Sequence, residues 1–346
     1  MRTNAVIGVA ALLLLLACDG SGDASPAPDV TSRPLAGTYQ VSSSFRIPAT
    51  AAAPGPLGDA LRLVHGLAEN PAGTLLDVAA DAGAPALDTL QLVVPDALEG
   101  QLEGWMNAYL TTATADGVSP HGEIVRLDAL IRSVLLEWEL RSELRLPAGG
   151  EDGTHAPLAI AFDVLDAPVV IPVEATDPVT TATGVRATVS WTDGLHGTAA
   201  ASVGDHAMGI PFGAYALQAL ELAFLAGWNA PDVRSVLGAA VDCAAMGESV
   251  AGRCLGLACV GHATEVAALC QAGLDEVGAR IEARILALDY EAIRFQAGTA
   301  KVEGLSLEPT EPGFATADRL VDGVWTATVD LGQGAEPATA SFTAAR

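Results

Sequence analysis

The stretch 136–146, LEWELRSELRL, decides the fold. Leu136, Trp138, Leu140, Ser142, Leu144 and Leu146 fall on one side of a period-two pattern, and Glu137, Glu139, Arg141, Glu143 and Arg145 fall on the other. One apolar face and one face of mixed charge describe an antiparallel strand with one side in water. The chain must therefore build a sheet with a dry face and a wet face.

The same period recurs outward from this stretch. In 38–47, Tyr39, Val41, Ser43, Phe45 and Ile47 share one face, opposite Thr38, Gln40, Ser42, Ser44 and Arg46. After the turn-like PAGGEDGTH come Leu158, Ile160, Phe162 and Val164, then a short strand over Val169–Val173. Val185, Ala187, Val189 and Trp191 predict one further strand, with Asp193 and Gly194 as a hairpin turn into 196–203. Near the carboxyl end, 289–296 and 299–307 read as a strand pair. They are followed by 324–331 (Trp325, Ala327, Val329, Leu331) and 338–346 (Ala340, Phe342, Ala344). The first and last strands are expected in the same sheet.

Between these strands the period changes to that of a helix. Leu57, Leu61, Val64 and Leu67 mark one helix after a loop at 48–56. Leu98, Leu102, Trp105, Met106 and Tyr109 mark a second, with Glu99 and Glu103 opposite. Ile124, Leu127 and Ile131 mark a third, shorter one. From Pro211 the segment 212–228 has only Gln218 and Glu221 as clearly polar side chains and should be deeply buried. A second helix runs from Asp232 to about Met246, and 247–261 forms a Gly-rich tip. A long third helix follows from about His262 to Leu288, with the stripe Val266, Cys270, Leu274, Val277, Ile281, Ile285 and Leu288. The expected fold is α+β: an antiparallel sheet or partly closed barrel from amino-terminal, middle and carboxyl-terminal strands. Long helices pack on it, among them a disulfide-linked helical hairpin. Residues 35–346 are expected to form one domain, with the helical, Cys-containing segment at 212–288.

The first 34 residues are of another kind. Arg2 precedes an apolar run over 5–17, too short for a comfortable membrane span, and Ala17 stands before Cys18. These are the regions of a secretory signal. Leu15-Leu16-Ala17-Cys18 resembles the lipobox of bacterial lipoproteins. That resemblance implies removal of residues 1–17, diacylglycerol on the Cys18 thiol and an acylated amino group. Asp19 resembles an inner-membrane retention signal of some bacteria, a rule that does not transfer between groups, so the membrane stays open. Residues 18–34, small, polar and Pro-rich after Cys18, read as a tether.

Composition narrows the partners. With 17 basic and 42 acidic residues the formal charge is −25, which excludes nucleic acid, since phosphate contacts need clustered Lys and Arg. It also disfavours electrostatic attachment to a membrane surface, so the expected membrane partner acts through lipid on Cys18. Of five cysteines, Cys243, Cys254, Cys259 and Cys270 remain once Cys18 is set apart. An even set in an exported protein reads as two disulfides, with three connectivities open. The symmetric spacing suits nested bridges, Cys243–Cys270 across two helices and Cys254–Cys259 at the tip. A four-thiolate zinc site is the rival, but its usual close pairs at both ends are missing.

A search for chemistry finds no catalytic set. Gly247-Glu248-Ser249-Val250-Ala251 has Ala251 where a nucleophile elbow has glycine, and a helix rather than a strand precedes it. His65, His121, His155, His196, His206 and His262 form no close metal-ligand pair. Asp205 and His206, if on a strand, lie on opposite faces, and a turn or surface role is expected for them. Neither a cofactor nor a metal is implied. The expected function is that of a lipid-anchored, exported lipoprotein of the bacterial cell envelope, facing the periplasm or the surface. It would be non-catalytic, binding a hydrophobic small molecule or an envelope protein or other component, or serving structurally. The alternative is an envelope or extracellular hydrolase whose site is assembled from distant residues.

Overall fold

A computed structural model describes residues 35–48, 54–84, 96–114, 118–148, 151–165, 167–191, 199–255, 258–259, 262–288, 293–307, 315–330 and 335–346. Cys18 and the expected lipobox and tether lie outside the described residues, as does the turn expected at Asp193 and Gly194.

The strand read from 136–146 is β2 (Glu137–Leu146), with the alternation of buried and accessible residues intact. Its neighbour on one side is β1 (Gly37–Arg46); on the other it is β3 (Gly153–Val164). The far side of β1 pairs with β13 (Ala335–Ala345), so the first strand and the last are hydrogen-bonded neighbours, with Val41 opposite Ala344 and Phe45 opposite Ala340. The sheet continues through β12 (Ala315–Asp330) and β11 (Ile293–Leu307) to β7 (Ala199–Val203) and β6 (Ala187–Trp191). At the other margin β4 (Ala167–Pro172) pairs with β3. Two short strands complete it: β5 (Ala182–Val185) on β3 and β8 (His206–Met208) on β11. These 11 strands form one antiparallel sheet. It does not close into a barrel, although its margins meet at one end, where Thr180 bridges Gly209.

The helices pack around one of their number. Besides α1 (Gly55–Glu69), α2 (Pro71–Asp81), α3 (Asp96–Thr112) and α4 (Pro120–Leu136), the helical layer holds α5 (Phe212–Trp228), α6 (Val233–Ala240), α7 (Cys243–Ala251) and α8 (Ala263–Leu286). The last is the hub: α1, α2, α5, α6 and α7 all pack on it. Its predicted stripe, from Val266 through Cys270 to Ile285 and Leu288, is wholly buried. Close approach needs small residues there. A Cβ on Gly213 of α5 would sit 2.2 Å from the carbonyl oxygen of Ile285, and the Gly213 N–H donates to Leu288 O at 3.0 Å. Helix and sheet meet through aromatic contacts. Trp138 stacks on Phe45 at 4.3 Å between centroids and packs on Phe212 at 5.2 Å.

Several expectations are corrected. The helix at Ile124 is not shorter than its predecessor; both have 17 residues. The segment 232–246 is two helices. Asp242 accepts from Ala245 N at 2.9 Å and starts α7 anew, as Asp232 starts α6 by accepting from Ser235 N at 2.7 Å. The helix α7 then runs to Ala251, so the tip is shorter than 247–261. The segment 212–228 buries only one face: Leu222 and Leu225 are 46% and 52% exposed. The strand over 185–191 is two strands, with Arg186 between them, because β5 pairs with β3 and β6 with β7. Residues 293–307 are one strand, not part of a pair; shifts of register beside Gln296 and Ala300 disguise its continuity.

Cys243, the first residue of α7, is disulfide-bonded to Cys270 of α8, with Cα atoms 5.6 Å apart, which removes the zinc alternative. Cys254 is also disulfide-bonded, and the residue opposite it across the small β9–β10 ladder (Cys254–Leu255 with Ala258–Cys259) is Cys259. Reducing the outer bridge frees a 27-residue separation in the unfolded chain. Cys243→Ala/Cys270→Ala should lower the free energy of urea unfolding by about 2–4 kcal/mol. Peptide mapping without reductant should recover Cys254 joined to Cys259. A zero change in stability, or a free thiol at either tip cysteine, would contradict this arrangement.

Candidate functional site

Two places gather polar chemistry. The first is inside the sheet. The pairing of β2 with β3 slips between Arg141 and Ser142, where Leu158 is the extra residue of a bulge. Leu158 is therefore 41% exposed rather than facing the core, and the inward positions change from even (Ile160, Phe162, Val164) to odd (Gly153, His155, Pro157). This change of phase brings His155 opposite Leu144, on the dry face.

There His155 joins a buried relay. Ser142 Oγ lies 2.7 Å from His155 Nε2; His155 Nδ1 lies 2.8 Å from His206 Nε2; His206 Nδ1 lies 2.9 Å from Gly204 O. The carbonyl can only accept, so His206 Nδ1–H donates to it. His206 Nε2 then accepts from His155 Nδ1–H, and His155 Nε2 accepts from the Ser142 hydroxyl. Every proton is assigned with both rings neutral. Phe295 and Trp325 pack on the pair, with Phe295 stacked on His206 at 4.8 Å. Burial holds His155 down to about 3, with the neighbouring His206 adding to the effect. Burial also lowers His206, partly offset by its bond to Gly204 and by Asp205. Asp205 itself is exposed, so the two side chains do point to opposite faces, but the turn or surface role expected of His206 is overturned.

The order serine, imidazole, second imidazole has the distances of an activated nucleophile, its base and an orienting group. Its surroundings do not fit that role. Ser142 and His155 are fully buried, and aromatic rings rather than a substrate cleft enclose them. The relay ties β2, β3 and β8 together and satisfies five side-chain polar atoms that would otherwise be orphaned. Ser249, the other serine considered, lies in α7, without a strand before it.

The second place is the wet face of the sheet. A cleft of about 780 Å³ crosses β4, β3, β2, β1 and β13 and reaches Val324 of β12. Arg46, Glu137, Glu139, Arg141, Ser341 and Asp163 are among the side chains lining it. Arg46 Nε meets Glu137 Oε1 at 3.2 Å across the β1–β2 pair, and Arg141 Nε meets Glu139 Oε1 at 2.9 Å along β2. Glu137, Glu139 and Arg141, of the mixed charges read in 136–146, are thus part of the wall of an open site. Where α5 meets the sheet, Phe212 packs on Trp138 and Phe162, at 5.2 and 5.9 Å between ring centroids. Among the described residues, no group of three or more His, Cys, Asp or Glu could hold a metal, and no helix is long and apolar enough to cross a membrane.

No family model, no curated protein and no solved structure matches the chain.

The relay makes a pH prediction. Above pH 6.5 His155 is neutral both folded and unfolded and contributes no slope. As pH falls from 6.5 toward 3, the unfolded chain takes up a proton that the folded chain refuses, so stability declines across that window. His206, also lowered, acts in the same sense. Asp232, lowered by its bonds to Ser235, adds a loss only further into acid. In His155→Gln the fall in urea-unfolding free energy between pH 6 and pH 4 should be shallower by up to about 1.4 kcal/mol per pH unit, one proton's worth. An unchanged slope would show that His155 does not titrate on unfolding.

Proposed function

We propose that this protein is a lipid-anchored, exported lipoprotein of the bacterial cell envelope, whose domain binds an envelope component on the open face of its sheet. Lipid on Cys18 would hold it to the membrane. The tether would let the domain reach neighbouring envelope material within roughly 50 Å, at about 3.3 Å per residue.

The observation that carries the export and anchor is the sequence Leu15-Leu16-Ala17-Cys18 after an apolar run and before a small, polar, Pro-containing stretch. The Cys243–Cys270 disulfide supports it independently, because such bonds persist in oxidising compartments outside the cytoplasm. The cleft favours an outside partner over an enclosed hydrophobic molecule, since it opens to solvent between charged side chains. For the hydrolase alternative the relevant observation is the Ser142–His155–His206 relay, whose burial weighs against turnover. A fluorophosphonate probe that labels Ser142 in the folded protein would restore that alternative.

Two measurements test the proposal. Mass spectrometry of the protein from the membrane fraction should find residues 1–17 absent and Cys18 carrying diacylglycerol and an acyl chain. Cys18→Ser should leave the membrane, yet still sediment with isolated envelope fragments, and Arg141→Ala in that background should abolish the sedimentation. An unmodified Cys18 sinks the anchor. Sedimentation indifferent to Arg141 sinks the cleft.

A further inference from the structure

The wet face at the centre of the sheet carries hydroxyls in a regular array. Ser42 and Ser44 of β1, Ser341 and Thr343 of β13, and Thr326 and Thr339 across the β12–β13 pair all alternate with buried side chains. Register sets Ser44 opposite Ser341, Ser42 opposite Thr343, and Thr326 opposite Thr339. Such positions repeat at about 4.8 Å across strands and about 6.7 Å along them. The cleft lies on this face and includes Ser44, Thr339 and Ser341 among its lining residues, with one exposed apolar side chain, Val324, opposite Ser341 across the β12–β13 pair.

The charges beside the array select among ligands. The cleft holds Arg46 and Arg141 against Glu137, Glu139 and Asp163, in a chain whose formal charge is −25. An anion would meet a net negative surface. A cationic partner would find Glu137 and Glu139 already paired with arginines. An apolar ligand would strand the hydroxyls without water, at a cost for each. An extended peptide takes a sheet edge, where backbone groups are unpaired, and not the middle of a face. A neutral molecule dense in hydroxyls meets none of these objections. Each of its O–H groups can both donate and accept, as each Ser and Thr can, and a guanidinium with one N–H engaged keeps four more donors. A volume of about 780 Å³ falls in the range of ligand sites and accommodates a few sugar rings.

We infer that the cleft and its hydroxyl array bind a neutral glycan strand laid across β1, β2 and β13, with Arg46 and Arg141 as charged donors to its hydroxyls. This rests on the cleft being the binding face proposed above, and it specifies the chemical class of the envelope component.

The test is calorimetric titration of the full chain, held in detergent micelles, with cellohexaose and with N-acetylchitohexaose; a sulfated hexasaccharide serves as the charged comparison. At least one neutral hexasaccharide should bind saturably, with an affinity little changed by added salt. Arg141→Ala should weaken it about tenfold or more, through loss of charge-assisted donors. Ser341→Glu, which adds a charge and bulk in the cleft, should abolish it. Arg141 and Ser341 are both exposed, so the urea midpoints of the two variants should match the wild type; if one variant unfolds, the other still decides. The inference is overturned if neither neutral hexasaccharide binds saturably, if binding survives both variants, or if only the sulfated probe binds. Envelope sedimentation that depends on Arg141 without binding of either neutral hexasaccharide would retain the binding face and overturn its glycan specificity. Loss of both would overturn both.

Discussion

The structure depends on the pairing of its first described strand with its last. β1 lies between β2 and β13, so residues separated by nearly the whole domain are hydrogen-bonded neighbours. Closing so long a loop costs conformational entropy, but the cost grows only with the logarithm of loop length. What offsets it is the inner face of these strands. Tyr39, Phe45, Trp138, Trp325 and Phe342 are all buried there, with Trp325 and Phe342 stacked at 4.3 Å. Tyr39 Oη donates to Ala317 O, and Trp325 Nε1 donates to Ser43 Oγ, so the polar tips of these two rings are met by distant strands, whereas Trp138 Nε1 is buried without a partner. The sheet is thereby held as one cooperative body, and the helices lean on it instead of forming a separate unit.

The two sides of the sheet then follow separate rules. Inside, Ser142, His155 and His206 form a relay in which every proton has an acceptor, and among the described residues only Trp138 Nε1 is left buried without a partner. Outside, the same strands carry serines, threonines and arginine–glutamate pairs that water solvates. The candidate binding face consists of the residues the core does not use. Its geometry is inherited from the core nonetheless, because strand spacing and register are set by what the inner face buries.

The helical layer is organised by a different constraint. The helix α8 is buried on one stripe along its length, and the glycines facing it let neighbouring backbones approach closely. The Cys243–Cys270 bridge fixes α7 against α8 where α7 begins. Asp232 and Asp242, each capping a short helix, divide a segment that periodicity alone reads as continuous.

Much of this was legible in the chain. Alternation in 136–146 and 38–47 depends on side chains that point by turns to either face of a strand. That is a local property, and it named the strands, their buried residues and the wet face. The stripe through Cys270 was legible for the same reason at helical period, and the nested cysteine spacing pointed to the Cys243–Cys270 bridge. The relay was not legible. His155 sits in a run that reads as a turn, and His206 beside an aspartate reads as surface. Only the bulge at Leu158, a feature of two paired strands, turns His155 inward, and only the pairing of β8 on β11 sets His206 against it. The cleft was likewise hidden, because it is composed of residues from six strands that are adjacent in space and, for the most part, far apart in sequence. The sequence by itself determined which faces are dry and which are wet, since that is decided by each side chain's affinity for water. The tertiary structure decided which dry and wet residues meet, since that is decided by register, and register belongs to pairs of strands and not to any one of them.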